Sequence, residues 1–236
     1  MNKEAIKAKK TIIAAVFNKF AKKISNLHKM LEQGFIEEAL ILACCYISAL
    51  ADLRYGTKDN RDNFIKIIFD YSDFKNLFSK ISWINFYKKG KDPLGKSKTG
   101  KPISRYEDIK SSLLKIYDKK SDHYQEMYKS GVINYLKQQL SNLDLQNLEV
   151  NLDKFSYAAV LYEEYRSAGV HKGSMAHSWD AETGKPLFDR NEKGEDIYYD
   201  GNILCFSKEI ILATLKNVHH NLEDKCISVT KWPHEL

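Results

Sequence analysis

The amino-acid sequence predicts an all-α protein, a bundle of helices with one small β-hairpin before the last helix. Only 11 glycines and 4 prolines occur in 236 residues, and this scarcity of turn residues argues against a loop-rich sandwich or barrel. Apolar residues recur every three or four positions along most of the chain, which is the spacing of one helix face. Hydrophobic residues make up 43% of the chain, enough for one sizeable core, so we expect residues 1–236 to form a single domain.

The first two helices are predicted by their apolar residues and by the glycines that follow them. Helix one has a single apolar stripe from Ile6 to Leu31, and Gly34 stops it. Helix two, at about residues 35–55, is apolar almost all round, which is typical of the central helix of a bundle. Gly56 ends this helix.

Shorter helical patterns fill the middle of the chain. A third helix begins near Asp59 or Asn60, either of which is a suitable N-cap, and continues or restarts through Ile81. Further helical patterns cover residues 104–116, 122–141 and 153–172.

Two segments lack helical periodicity. Residues 88–101 (KKGKDPLGKSKTGK) contain three glycines and no apolar spacing, and we interpret them as an exposed basic loop. Residues 184–206 alternate short β-prone pieces with turn residues, which predicts the hairpin. Ser207 then caps the last amphipathic helix.

The net charge of +6 is unevenly distributed along the chain. Residues 1–30 and 88–120 each carry +7, which leaves −8 for the rest. Such basic patches suit a polyanion, although lysine-rich solvated helix faces look the same. No apolar run approaches the roughly 20 residues that cross a bilayer, and the N-terminus has no signal-peptide pattern. We therefore expect a cytoplasmic protein with no membrane span.

One segment carries candidate catalytic chemistry. Arg166 and His171 lie five residues apart at the end of an amphipathic helix, with the polar Ser167 after the arginine. An imidazole, with its pKa near 6.5, can take the proton of a ribose 2′-OH. A guanidinium can hold the phosphate and stabilise the extra charge of the transition state. Since five residues span about 140° on an α-helix, the two groups meet only at a frayed helix end or across a two-fold axis.

Other kinds of site have no support in the sequence. There is no glycine-rich phosphate loop and no nucleophile elbow, and the histidines and cysteines lack metal-ligand spacing. We therefore predict neither a cofactor nor a metal. The other four arginines are interpreted as ordinary surface or pairing residues.

The segment EEYRSAGVHKG, residues 163–173, resembles the signature of the HEPN superfamily (higher eukaryotes and prokaryotes nucleotide-binding), Arg-x(4–6)-His. The apolar helix at residues 38–56 resembles that family's second helix and has an acidic residue, Asp52, near its end. The order of parts is similar as well, with long helices before the motif and a terminal helix after it. The resemblance covers most of the chain and implies an up-and-down helical bundle.

The resemblance also implies an activity, a metal-independent endoribonuclease that works as a homodimer with a composite site at the interface. It assigns phosphate binding to Arg166, the base to His171 and the polar motif position to Ser167. Members of the family act in phage defence, toxin–antitoxin pairs and RNA processing, so an antitoxin or other regulatory protein is a further expected partner. The lysine-rich regions, including Lys96, Lys98 and Lys101, would hold the RNA backbone.

A non-catalytic module for RNA binding or protein interaction stays open as the alternative. In that case Arg166 only pairs with a carboxylate such as Glu163. His171 then caps the helix through its last carbonyls.

Overall fold

A computed structural model describes residues 2–89, 103–117, 127–173, 175, 187–200 and 203–236. Over these residues the prediction of a mostly helical protein is confirmed, as is a two-stranded antiparallel hairpin before the last helix. None of the described helices is both long enough and apolar enough to cross a membrane.

The chain divides into two compact units. The first unit joins residues 1–75 to residues 161–236, and the second consists of residues 76–160. In chain order the second unit is therefore inserted between the third helix and the segment that carries Arg166 and His171. The interpretation of residues 1–236 as a single domain stays a prediction.

The long helices of the first unit follow the sequence prediction closely. The predicted central helix contacts the helices before and after it and the last helix, and all its apolar residues are buried or half-buried. Gly34 and Gly56 follow the first two helices with a φ of 86° each, a conformation that costs glycine little. These helices are α1 (Lys3–Glu32), α2 (Ile36–Tyr55) and α3 (Asn60–Tyr71), and Asp59 is the N-cap residue of α3.

The second unit has an apolar core of its own. Phe86 is fully buried, and its ring centroid lies 5.2 Å from that of Phe155 and 5.4 Å from that of Tyr106. The helices that supply this core and its surroundings are α4 (Lys75–Phe78), α5 (Trp83–Lys89), α6 (Tyr106–Tyr117), α7 (Lys129–Gln139) and α8 (Leu145–Leu152).

Two helices of the second unit differ from the prediction. The helix expected at residues 122–141 begins only at Lys129, because Tyr128 pairs with Lys80 in an isolated antiparallel bridge; residues 118–126 lie outside the described residues. The helix α8 was not predicted, although its N-cap signal is present in the sequence. There the Asn147 N–H donates to Asp144 Oδ1 over 3.0 Å.

The segment predicted as a basic loop begins with two helical residues. Lys88 and Lys89 belong to α5 rather than to a loop, since the helix continues to Lys89. Residues 90–101, including the three candidate RNA-binding lysines, lie outside the described residues.

The helix predicted at residues 153–172 is present but is built from four pieces. Ser156 has an extended backbone, and its Oγ accepts a hydrogen bond from the Ala159 N–H over 3.2 Å, so it caps the residues that follow. We call residues 157–172 the motif helix. The pieces are a 3₁₀ turn (Asp153–Phe155), α9 (Tyr157–Val160), a π-helical turn (Leu161–Ser167) and α10 (Ala168–Lys172).

The hairpin lies directly before the last helix. Strands β1 (Ile197–Asp200) and β2 (Ile203–Phe206) pair antiparallel, with Ile197 opposite Phe206. Leu187 and Phe188, predicted as β-prone, form a turn instead. The last helix, α11 (Lys208–Val229), is capped as predicted, because the Ile210 N–H donates to Ser207 Oγ over 3.2 Å. Residues 184–186 lie outside the described residues.

Asp196 ties the hairpin to the start of α11. Its Oδ1 accepts hydrogen bonds from Arg190 Nε (2.8 Å) and Ser207 Oγ (2.6 Å). Partial burial of Asp196 raises its pKa, but these two hydrogen bonds and the Arg190 charge outweigh burial, so the pKa of Asp196 is lowered overall.

Candidate active site

Arg166 lies on the π-helical turn of the motif helix, one residue before that turn ends. In such a turn each N–H bonds to the carbonyl five residues earlier, and single π turns inside α-helices occur frequently at functional sites. Because a π turn holds more residues than an α turn, it changes the face on which Arg166 lies relative to the residues before it. His171 follows on the α-helical residues of α10.

One face of α2 lies along the motif helix, and the two run in opposite directions. As residue numbers rise along α2, the numbers of the residues next to them in the motif segment fall. At the first of these neighbour pairs, the Met175 N–H donates to Glu37 Oε1 over 2.5 Å. The pairs are Glu37 with Met175, Ile41 with Gly169, and Asp52 with Arg166.

Gly169 lets α2 and the motif helix approach each other closely. A Cβ atom at Gly169 would lie 2.5 Å from Ile41 Cγ1 and 2.9 Å from Ile41 Cδ1. Both distances are well inside van der Waals contact, so the site has no room for even one methyl group. The glycine, two residues before His171, thereby fixes how the end of the motif helix packs on α2.

Arg166 is half-buried between an aromatic ring and an acidic side chain. Its Cζ lies 5.4 Å from the centroid of the Tyr162 ring, within range of a cation–π interaction. Burial raises the pKa of Asp52, and the nearby Arg166 charge partly opposes that rise. The charge acts on Cys45 in the same sense, since burial raises the pKa of this thiol and Arg166 lowers it. Arg166 therefore lies within electrostatic reach of Asp52, the acidic residue near the end of α2.

The hydrogen-bonding capacity of Arg166 is not used up by the described part of the chain. Its Nε is buried without a hydrogen-bond partner among these residues, and no ion pair there includes it. The buried Oγ of Ser48 also has no such partner. Ser48 falls on the same face of α2 as Ile41, Cys45 and Asp52, because residues three and four apart share a helix face.

Glu163 does not pair with Arg166. Its Oε1 lies 2.8 Å from Arg61 Nη2, and the Arg61 side chain is only 10% exposed. Among the described residues α3 supplies a different arginine to this carboxylate, and no ion pair is found between Glu163 and Arg166, the pairing that the alternative interpretation gave as an example. Helix spacing gave no signal for that partner, since the two residues are about 100 positions apart in the sequence.

Tyr165 anchors the motif helix to the hairpin. Its hydroxyl accepts a hydrogen bond from the Phe206 N–H over 3.0 Å, and the two rings meet edge to face with centroids 5.4 Å apart. Tyr165 is buried, and burial raises the pKa of its hydroxyl. The residue directly before Arg166 is thus held from the side of β2.

His171 and Ser167 are both less constrained than Arg166. The His171 side chain is exposed in the last turn of α10, and no hydrogen bond or ion pair engages it within the described ranges. The Gly173 N–H closes this helix end on the Gly169 carbonyl over 3.1 Å, and among the described residues no hydrogen bond from the His171 ring to a helix-end carbonyl is found. Ser167 is half-buried and makes no side-chain cap to α10.

The structure thus places the predicted site residues in two different surroundings. Arg166 and Asp52 are neighbours at the α2 interface, whereas His171 is exposed at the helix end. Sequence reasoning missed the contributions of Arg61 and Tyr162. For Gly169, a glycine inside a helical pattern, it predicted a frayed helix end, whereas this residue is buried against Ile41. Among the residues with described positions, no group of three or more histidines, cysteines or carboxylates is placed to hold a metal ion.

Comparison with known proteins adds no assignment. No family model, curated protein or solved structure matches the chain. Inferences about function therefore depend on the residues and their geometry.

Proposed function

We propose that this protein is a metal-independent endoribonuclease that acts as a homodimer, with a composite site formed by Arg166 and His171 of two copies. The observation that carries the proposal is the state of Arg166. It is half-buried next to Tyr162 and Asp52, and within the described residues its Nε has no hydrogen-bond partner. The carboxylate of Glu163, three positions before it in the sequence, is bound by Arg61.

The chemistry follows from the two side chains. The exposed His171 imidazole takes the proton of a ribose 2′-OH, and the 2′-oxygen attacks the adjacent phosphorus. Arg166 binds two phosphate oxygens and stabilises the charge that accumulates on them. The bond to the 5′-oxygen breaks, and this oxygen takes a proton from an acid, for which the His171 of the second copy is available. The products are a 2′,3′-cyclic phosphate and a 5′-hydroxyl.

The different surroundings of Arg166 and His171 favour the composite arrangement. Arg166 is held against α2, whereas His171 is exposed at the end of α10, and a two-fold axis near this helix end would bring a second copy of each residue close. Asp52 and Ser167 support the site, Asp52 through its attraction to the Arg166 charge. Lys96, Lys98 and Lys101 are included in the proposal as phosphate contacts on the basis of their charge alone. Their positions lie outside the described residues.

The resemblance to the HEPN superfamily in the motif and in α2 supports the same proposal. A cytoplasmic location and regulation by an antitoxin or another protein are further parts of this proposal. The rival, a non-catalytic module for RNA binding or protein interaction, stays open as the alternative and is one outcome of the test.

The test is cleavage of labelled RNA by the purified full-length protein in EDTA. We expect cleavage by the wild type and its loss in both Arg166→Ala and His171→Ala. Arg190→Ala and His220→Ala are matched controls, because both side chains are exposed and pair with other residues; both should cleave normally. Tight, salt-dependent RNA binding without cleavage would support the non-catalytic rival instead, and cleavage abolished by EDTA would contradict the mechanism.

Subunit mixing tests the composite site. Arg166→Ala and His171→Ala proteins are inactive alone, but a dimer with one chain of each retains one arginine and one histidine. We expect activity to return in part when the two are mixed, because the single histidine serves as the base while protonation of the 5′-oxygen is left to water. No recovery, with mixed dimers shown to form by co-purification of differently tagged chains, would overturn the composite arrangement.

A further inference from the structure

The inserted unit, residues 76–160, carries the entire net charge of the chain. It holds 15 basic and 9 acidic residues, a balance of +6, while the remainder holds 22 of each. In the first unit the basic α1 is balanced by acidic residues elsewhere. The inserted unit therefore has the charge of a polyanion-binding surface in its own right.

An open cleft of about 580 Å³ lies within this unit. The most exposed aromatic residue that lines the cleft is Tyr128, with 48% of its surface accessible. Its other lining residues are mainly polar and are able to hydrogen-bond a ligand. The cleft is lined by Asn76, Ser79, Tyr128, Lys129, Ser130 and Ile133.

The backbone of Tyr128 is held in place, and a cation lies near its ring. Tyr128 forms the isolated bridge with Lys80, supported by a hydrogen bond from the Ile81 N–H to the Met127 carbonyl over 3.1 Å. The Lys80 Nζ lies 5.8 Å from the ring centroid. Lys129 is partly neutralised by an ion pair with Asp153 of 2.7 Å, so Lys80 is the better phosphate contact.

The same combination of groups occurs a second time in the unit. Tyr87 on α5 is 46% exposed, and the Lys110 Nζ lies 4.0 Å from its ring centroid. The Tyr106 hydroxyl donates to the Tyr87 carbonyl over 3.0 Å, which holds that part of α5 in place. Exposed aromatic rings interleaved with cations are the pattern that binds single-stranded nucleic acid, where bases stack on the rings and cations follow the backbone.

We propose that the inserted unit binds single-stranded RNA, with one base stacked on Tyr128 in the cleft and a neighbouring phosphate on Lys80. This inference deepens the proposed function, and the choice of RNA rather than DNA as the bound strand rests on that function. Stacking requires unpaired bases, so the unit discriminates against duplex RNA. Asn76, Ser79 and Ser130 supply hydrogen-bonding groups at the edge of the stacked base.

Binding is measured separately from cleavage by using His171→Ala protein throughout. Fluorescence anisotropy with a labelled twelve-nucleotide oligo(U) gives the affinity, and circular dichroism confirms that each variant is folded. Tyr128→Ala should weaken binding roughly 5- to 100-fold, whereas Tyr128→Phe, which keeps the ring, should bind as before. Val150→Ala is the control, because Val150 is a 60% exposed apolar residue of the same unit outside the cleft.

Salt and competitor experiments complete the test. Lys80→Gln should reduce the slope of log affinity against log salt by about one, while Tyr128→Ala should leave the slope unchanged. Equal affinity of Tyr128→Ala and the control would overturn the proposal, as would equal affinity for duplex RNA or single-stranded DNA of the same length. If Tyr128-dependent binding is found but the wild type does not cleave, the proposed function fails and this inference holds. If the wild type cleaves RNA but binding does not depend on Tyr128, this inference fails and the proposed function holds.

Discussion

Gly169→Ala tests the close packing of the motif helix on α2. The added methyl carbon would meet three carbons of Ile41 at 2.5, 2.9 and 3.0 Å. Ile41 is β-branched and stiff in a helix, so its side chain does not rotate away easily. Alanine gains about 1 kcal/mol over glycine inside a helix, but overpacking costs about 1–3 kcal/mol. We expect a net loss of about 1 kcal/mol in the free energy of unfolding.

The chain supplies a matched control in Gly131→Ala. Gly131 is also helical, but a Cβ there would meet the flexible end of Met127 at 3.2 Å, so we expect it to gain up to about 1 kcal/mol. Urea unfolding measures the free energy of unfolding of both variants, provided that its slope against urea concentration is unchanged. In the double variant Gly169→Ala with Ile41→Ala, part of the loss should be recovered. Stabilisation by Gly169→Ala equal to that of the control, or strictly additive effects with Ile41→Ala, would refute the close contact.

Three further predictions concern the surroundings of the motif helix. Because Arg166 lowers the pKa of Cys45, Arg166→Ala should raise it and slow the alkylation of Cys45 by iodoacetamide at pH 8 by roughly two- to tenfold; an unchanged rate, read by mass spectrometry, would place the charge elsewhere. Tyr165→Phe removes the hydroxyl that accepts a hydrogen bond from the buried Phe206 N–H and should cost about 1–3 kcal/mol in urea unfolding, whereas a neutral effect would contradict that bond. The lowered pKa of Asp196 stabilises the fold above about pH 4, and this contribution is lost as pH falls through the folded-state pKa. Asp196→Asn should therefore destabilise the protein at pH 7 and by much less at pH 3; an equal loss at both would count against a lowered pKa.

The helices that were predicted correctly have signals within their own sequence. The central position of α2 follows from its apolar residues on all sides, and its end follows from Gly56. Ser207 supplied the N-cap of α11, and the hydrogen bond to the Ile210 N–H confirms it. These are local rules of periodicity and capping, which hold wherever the surrounding protein does not oppose them.

The parts that sequence reasoning missed depend on contacts between distant residues. No residue type signals the π-helical turn, because its bonding differs from that of an α-helix by a single residue of register. The Arg61–Glu163 ion pair joins α3 to the motif helix, and Tyr128 leaves a helical pattern in order to pair with Lys80. In each case tertiary packing decided among local structures that the sequence alone allowed.

The most direct test of the proposed activity compares one RNA with the same RNA methylated at every 2′-oxygen. Both are incubated with the wild type in EDTA, and the ends of the products are identified by chromatography and mass spectrometry. Attack by the 2′-oxygen, with His171 as the base and Arg166 on the phosphate, predicts 2′,3′-cyclic phosphate and 5′-hydroxyl ends from the unmodified RNA and no cleavage of the methylated one. Cleavage of the methylated RNA, or products with 5′-phosphate ends, would contradict this mechanism.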